Sequence, residues 1–160
     1  MLWALKDSGH SLLLLGGEEH GKIGAKFLKS SAPDLYKEIN SHRFMIELDW
    51  AGSGGCLYNG VLNSDKFKNY INKELNVKED NFKGGCDLSI LCNDICGVNL
   101  GVGYHKHYTE NEYLSAAEWQ AVFEEVSRFL EKEHPKFKIG GGAKFKNIIE
   151  RVFKRILKRK

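Results

Sequence analysis

Carboxylate and imidazole groups are the side chains best suited to a zinc-type metal ion, and this chain repeats them in one kind of place. The adjacent pair Glu18-Glu19 follows the apolar run Leu12 to Leu15 and two glycines. Asp49 closes the stretch Phe44 to Leu48, while His105 and His107 follow the glycine-studded stretch Cys96 to Val102. Each group therefore comes just after a segment with the character of a strand. In open α/β sheets ligands gather outside the carboxyl ends of the strands, so the topology would bring two carboxylate positions and a histidine position to one edge. Adjacent Glu18 and Glu19 cannot easily point the same way. That suits a division of labour between a metal ligand and a general base acting on metal-bound water, whose pKa zinc lowers toward neutrality.

The elements that must position these residues are legible in part. Leu2 to Lys6 reads as the last turns of a helix closed at Gly9, and Leu12 to Leu15 as a strand buried on both faces. Helical spacing runs from Gly21 to Lys29 and from Pro33 to Asn40, with Pro33 tolerated in a first turn. Phe44 to Leu48 is the next strand, residues 51–55 a loop, and Leu57 to Val61 a short strand. Ser64 caps a helix through Phe67, Tyr70, Ile71 and Leu75. Residues 78–85 are polar and turn-rich, and Cys96 to Val102 is a third strand. Ser115 and Glu118 form a capping box for a helix through Trp119, Val122, Phe123, Val126, Phe129 and Leu130, which ends before Pro135. Strands alternating with helices predict an α/β domain with a mostly parallel sheet and helices on both faces.

In their order, these motifs resemble a known family. The segment Leu12-Leu13-Leu14-Leu15-Gly16-Gly17-Glu18-Glu19-His20-Gly21-Lys22-Ile23-Gly24-Ala25 is similar to the stretch of co-catalytic, two-zinc aminopeptidases and dipeptidases where an apolar strand meets a Glu-Glu pair and a small-residue helix. Glu47-Leu48-Asp49 resembles the next metal-ligand strand. Gly85-Cys86-Asp87-Leu88-Ser89-Ile90-Leu91, then Gly97 to Tyr104, Thr109 and Asn111-Glu112-Tyr113, resemble the later part. The resemblance covers about residues 1 to 134. It implies a zinc exopeptidase-like domain over residues 1–139, acting on peptide substrates with two zinc ions. Glu18 would be the general base, Glu19 a ligand of one zinc and Asp49 of the other. Counting back from Thr109, the family's histidine ligand falls on Tyr108; His107 is the candidate in its place and His105 the reserve. The family's His-x-Asp motif and bridging Asp would precede Met1. The resemblance therefore implies the later portion of a catalytic domain, incomplete as a hydrolase by itself, with exposed sheet surface that invites self-association. The alternative is an inactive relative that works through its basic tail.

Composition agrees with a folded, water-borne domain: 42% hydrophobic and 28% charged residues with only two prolines. No apolar run approaches the ~18 residues of a membrane span, and no signal-peptide pattern is present, so the expected location is cytoplasmic. Cys56, Cys86, Cys92 and Cys96 lack paired C-x-x-C spacing and read as reduced, packed thiols. Charge is divided: residues 136–160 hold 10 of the 24 Lys and Arg and 1 of the 21 Asp and Glu, so this tail is +9 and residues 1–135 are −6. After the linker Gly140-Gly141-Gly142, the apolar residues Phe145, Ile148, Ile149, Val152, Phe153, Ile156 and Leu157 keep helical spacing opposite a cationic face. Residues 140–160 thus predict a linker and an amphipathic helix, whose segment 143–160 would meet an anionic membrane or a protein partner. Nucleic acid is disfavoured, because the aromatics lie on the apolar face and not among the charges.

Overall fold

Strand β4 (Gly97–Gly101) is buried at every position, and the other strands are arranged about it. The computed structural model describes residues 1–82, 84–137 and 139. Within them β1 (Met45–Trp50) pairs with β4 in parallel, β2 (Gly55–Leu57) pairs with β4 on its other side in antiparallel fashion, and β3 (Lys78–Glu79) runs parallel to β2. The order is β1-β4-β2-β3. The protein is thus an α/β fold whose sheet is mixed, with two parallel pairs, β1–β4 and β2–β3, and one antiparallel pair, β2–β4. The reason lies in loop length. Parallel neighbours need a crossover of about a dozen residues or more, and only residues 51–54 separate β1 from β2, so the chain reverses. The longer connection from β2 to β3 contains a helix and keeps them parallel.

Helices α1 (Ile23–Ser31), α2 (Pro33–Ile39), α3 (Asp65–Glu74), α4 (Leu88–Leu91) and α5 (Ala116–Leu130) supply two hydrophobic clusters. In the larger, Phe67 and Ile71 of α3 and Val122, Val126 and Phe129 of α5 pack with Val98 and Leu100 of β4. In the smaller, Ala25 and Leu28 of α1, Ile39 of α2 and Leu91 of α4 close over Ile95, with Met45 of β1 against them. Fully burying such side chains contributes roughly 1.5–3 kcal/mol each. The Ser64 and Ser115 hydroxyls accept from the N–H groups of Phe67 and Glu118 as caps, but the box expected at Ser115 forms only in this half, since the Ser115 N–H donates to the Gly103 carbonyl and the Glu118 carboxylate pairs with His105.

Three expectations shift. Leu12 to Leu15 carries no regular structure; Leu12 leans on the larger cluster, Leu13 and Leu15 on the smaller, and Leu14 is 74% exposed. Four leucines demand burial, but they do not provide a hydrogen-bonded neighbour. The strand expected over Leu57 to Val61 lies instead at Gly55–Leu57, because residues 59–61 turn sharply with Gly60 at φ +77°. The opening helix is a single 3-10 stretch, Leu2–Leu5. The four cysteines are free. Among the described residues no helix is long and apolar enough to cross a membrane. The predicted amphipathic helix and linker of residues 140–160 lie outside the described residues.

Candidate functional site

Glu18 and Glu19 sit in a turn wound by left-handed residues. Gly17, Gly21 and Lys22 have φ of 73°, 88° and 62°, and the N–H groups of Gly21 and Lys22 both donate to the Glu18 carbonyl at 3.0 and 2.8 Å. The turn is pinned against α1: Ile23 and Gly24 donate to the carbonyls of Gly17 and Gly16. A Cβ on Gly24 would stand 2.6 Å from the Gly16 oxygen, so only glycine permits this approach.

Asp49 owes its position to a bulge. The β1–β4 register jumps between Leu48 and Trp50, leaving Asp49 as the extra residue. Its N–H donates to the Asn99 side-chain oxygen at 3.1 Å and its carbonyl accepts from the Tyr104 hydroxyl at 3.1 Å. A small hairpin, β5 (Tyr104–His105) with β6 (Tyr113–Leu114), carries the loop that holds His107 and Tyr108.

These pieces converge on a cleft of about 60 Å³ whose lining includes Glu18, Glu19, Asp49, Trp50, Phe82, Cys86, Asn99, Tyr104, His107 and Tyr108. The four residues singled out by sequence as base and ligands, Glu18, Glu19, Asp49 and His107, are all there. The reserve is not: His105 pairs through Nε2 with Glu118 at 2.8 Å and stacks on Tyr113. No family model matches this chain, and no curated protein or solved structure is significantly similar to it.

The electrostatics of the cleft are those of crowded carboxylates. Burial in the cleft, then the charges of Glu18, Glu19 and Asp87, push Asp49 up to about 6. One layer below, burial pushes Glu47 up to about 7, aided by Asp49 and Asp87 and opposed by a hydrogen bond from the Cys86 thiol. Burial and the Glu18 charge likewise raise Asp87. Among the described residues, one oxygen of Glu47 and one of Asp87 are buried without a hydrogen-bond partner. Such an arrangement favours a positive charge or a proton.

The acids are not equally available. Glu18 pairs with Lys22 at 3.4 Å. The Tyr108 hydroxyl reaches both oxygens of Glu19, at 2.6 and 2.7 Å, and this hydrogen bond is the foremost cause of the raised Tyr108 pKa. Among the described residues the Asp49 carboxylate has no hydrogen-bond or ion-pair partner. The fit to zinc is therefore incomplete. Among the described residues no three His, Cys, Asp or Glu side chains come close enough to share an ion, whereas a catalytic zinc normally has three protein ligands.

Sequence reasoning did not single out Glu47 and Cys86 beneath the site or Trp50, Phe82 and Tyr104 in its wall. Trp50 follows Asp49 directly, and that adjacency was the available signal. Phe82 lies in a polar, turn-rich segment that gives none.

Proposed function

We propose that this chain is a zinc exopeptidase-like hydrolase domain, incomplete as a single chain, with Glu19 and Asp49 as a partial ligand set and Glu18 as the general base. The observation that carries the reading is the convergence on one cleft of Glu18, Glu19, Asp49 and His107, which come from three separate parts of the sequence. The resemblance in motif order adds to it. Zinc would supply a polarised, acidic water in an amide hydrolase. What the chain itself contributes is a carboxylate wall, a base whose position Lys22 fixes, and a tyrosine hydroxyl seated on the Glu19 carboxylate. Glu19 and Asp49 fall short of the three protein ligands a catalytic zinc normally has, and His107 does not come close enough to share an ion with them among the described residues, so further ligands would have to come from residues outside those described or from another polypeptide.

The test is elemental analysis and an aminoacyl-amide hydrolysis assay on chelator-stripped chain after zinc add-back and desalting. The reading predicts substoichiometric zinc and no turnover above the blank. Tightly retained stoichiometric zinc, with turnover lost in Glu18→Gln, would show that the site is complete. Zinc uptake indifferent to Glu19→Ala and Asp49→Ala would remove the ligand assignment altogether.

A further inference from the structure

The strongest charge on this chain lies where the cleft makes no use of it. Residues 143–160 hold eight Lys or Arg and one Glu. The seven apolar residues from Phe145 to Leu157 recur there at the spacing of one helix face, an arc of about 180°. Lys144, Arg151, Lys154, Arg155 and Lys158 fall on the arc opposite. Eighteen residues at helical rise cover about 27 Å. So charged a segment cannot cross a bilayer, but its two faces suit one that lies along the surface.

Described residues show where this segment sets out. Phe137 and Ile139 are buried in the larger hydrophobic cluster, and the Phe137 N–H donates to the Arg43 carbonyl at 3.1 Å. Lys136 reaches the Ser41 carbonyl. The chain is thus fastened to the body beside the start of β1. Asp49 and the cleft lie toward the other end of that strand, about 20 Å away.

The end where the segment sets out also carries an exposed indole. His10 bonds to the Leu130 carbonyl at the close of α5, and Ser11 to His42, which brings residues 10 and 11 beside Arg43. The 3-10 stretch just before them seats Leu5 in the larger cluster and leaves Trp3 77% exposed, with the Lys6 ammonium 5.9 Å from the ring centroid. An exposed tryptophan beside a lysine suits the boundary between lipid and water.

Partner classes differ in how much of the segment they use. Nucleic acid would match the cations and leave seven apolar side chains in water. A protein groove would take the apolar face and leave the five cations of the opposite face unmatched. An anionic bilayer takes both, because the apolar face enters the acyl boundary while the cations meet the headgroups.

We infer that residues 143–160 hold this protein on an anionic membrane surface as an amphipathic helix lying in the plane of the interface. The inference is independent of the hydrolase reading and of zinc.

The experiment is flotation of the full chain with large unilamellar vesicles containing about 25% phosphatidylserine, compared with phosphatidylcholine alone, in about 0.1 M salt. The anionic vesicles should bind at least ~10-fold more tightly, with a rise in helical circular dichroism. Ile149→Gln/Ile156→Gln keeps the charge and should lose at least ~30-fold in vesicle affinity, with the urea midpoint unchanged. Lys154→Gln and Arg155→Gln should each lose ~5-fold on anionic vesicles. Trp3→Ala should lose ~3-fold or more. No vesicle binding, equal binding to both vesicles, or affinity retained in the isoleucine variant would overturn the inference. Two outcomes without vesicle binding would also replace it: a lowered urea midpoint in the isoleucine variant would put the apolar face on the chain's own body, and duplex DNA binding retained by that variant would make the segment a nucleic-acid arm.

Discussion

Tyr108 stands where the family resemblance puts a histidine ligand, and its hydroxyl is 2.6 and 2.7 Å from the two oxygens of Glu19. Tyr108→His should therefore strengthen zinc binding. Structural zinc sites with four ligands bind with roughly 10–16 kcal/mol, which is ~3 kcal/mol per ligand. Against this stands the loss of the hydroxyl's bond to Glu19. Tyr108 is 74% exposed, so that loss should stay below ~1 kcal/mol. The backbone favours the change: Tyr108 has φ 62°, a region where histidine is more common than tyrosine. The net gain of ~2 kcal/mol corresponds to an affinity rise of about 30-fold. Competition against a chromophoric chelator would measure it, with Tyr108→Phe as the control that loses the same bond without adding a ligand and should change affinity less than ~5-fold. If Tyr108→His gained no more than Tyr108→Phe, the position would not face the ion and the reasoning would fail.

Two further predictions concern the scaffold. Phe67 is fully buried, with its ring 5.6 Å from that of Phe44 and 5.1 Å from that of Phe137; Phe67→Ala should lower unfolding free energy by ~3–5 kcal/mol in urea titration, while Phe27→Ala, at a position 67% exposed, should stay within ~0.5 kcal/mol. His134 is buried with its ring 4.2 Å from that of Phe129 and bonds through Nδ1 to the Tyr70 hydroxyl at 2.8 Å. Burial, together with the nearby His10 and Arg43, holds its pKa below the ordinary imidazole range, against raising contributions from a backbone bond at Phe129 and from Glu74. A histidine depressed in the folded state stabilises above its unfolded pKa, and that stability is lost as pH falls through the folded value. The raised Glu47 and Asp49 act in the opposite sense over the same window, so the His134 contribution is read by difference: between about pH 7.5 and pH 5 the urea midpoint of the wild type should fall relative to that of His134→Phe, and parallel curves would remove His134 as a contributor.

How much the sequence revealed depended on whether a signal was local. Helices α3 and α5 were legible because Ser64 and Ser115 announce their starts and apolar residues keep their period. Strands β1 and β4 were legible as apolar stretches between turn residues. The direction of β2 was implicit in the short loop of residues 51–54 but hidden by the regular alternation of strands and helices. The Leu12 to Leu15 run misled because hydrophobicity reports a need for burial and says nothing about partners. Of the candidate site, Asp49 lies at the end of a strand as expected, whereas Glu18 and Glu19 reach the cleft from a turn after a segment that is not a strand. The contacts that qualify the site were legible only in part. The Glu18–Lys22 pair is an i,i+4 spacing readable in the sequence, but whether Tyr108 reaches Glu19 and whether Trp50 and Phe82 wall the cleft depend on side-chain geometry across tens of residues, which no spacing rule encodes.

The central claim, that Glu19 and Asp49 form part of a zinc site this chain leaves incomplete, is tested most directly by calorimetric zinc titration of chelator-stripped protein. Two ligands at ~3 kcal/mol each give a dissociation constant of roughly tens of micromolar. The account predicts one such weak event, reduced at least ~10-fold by either Glu19→Ala or Asp49→Ala. Binding at nanomolar strength would contradict the incompleteness, and binding unchanged in both variants would contradict the site.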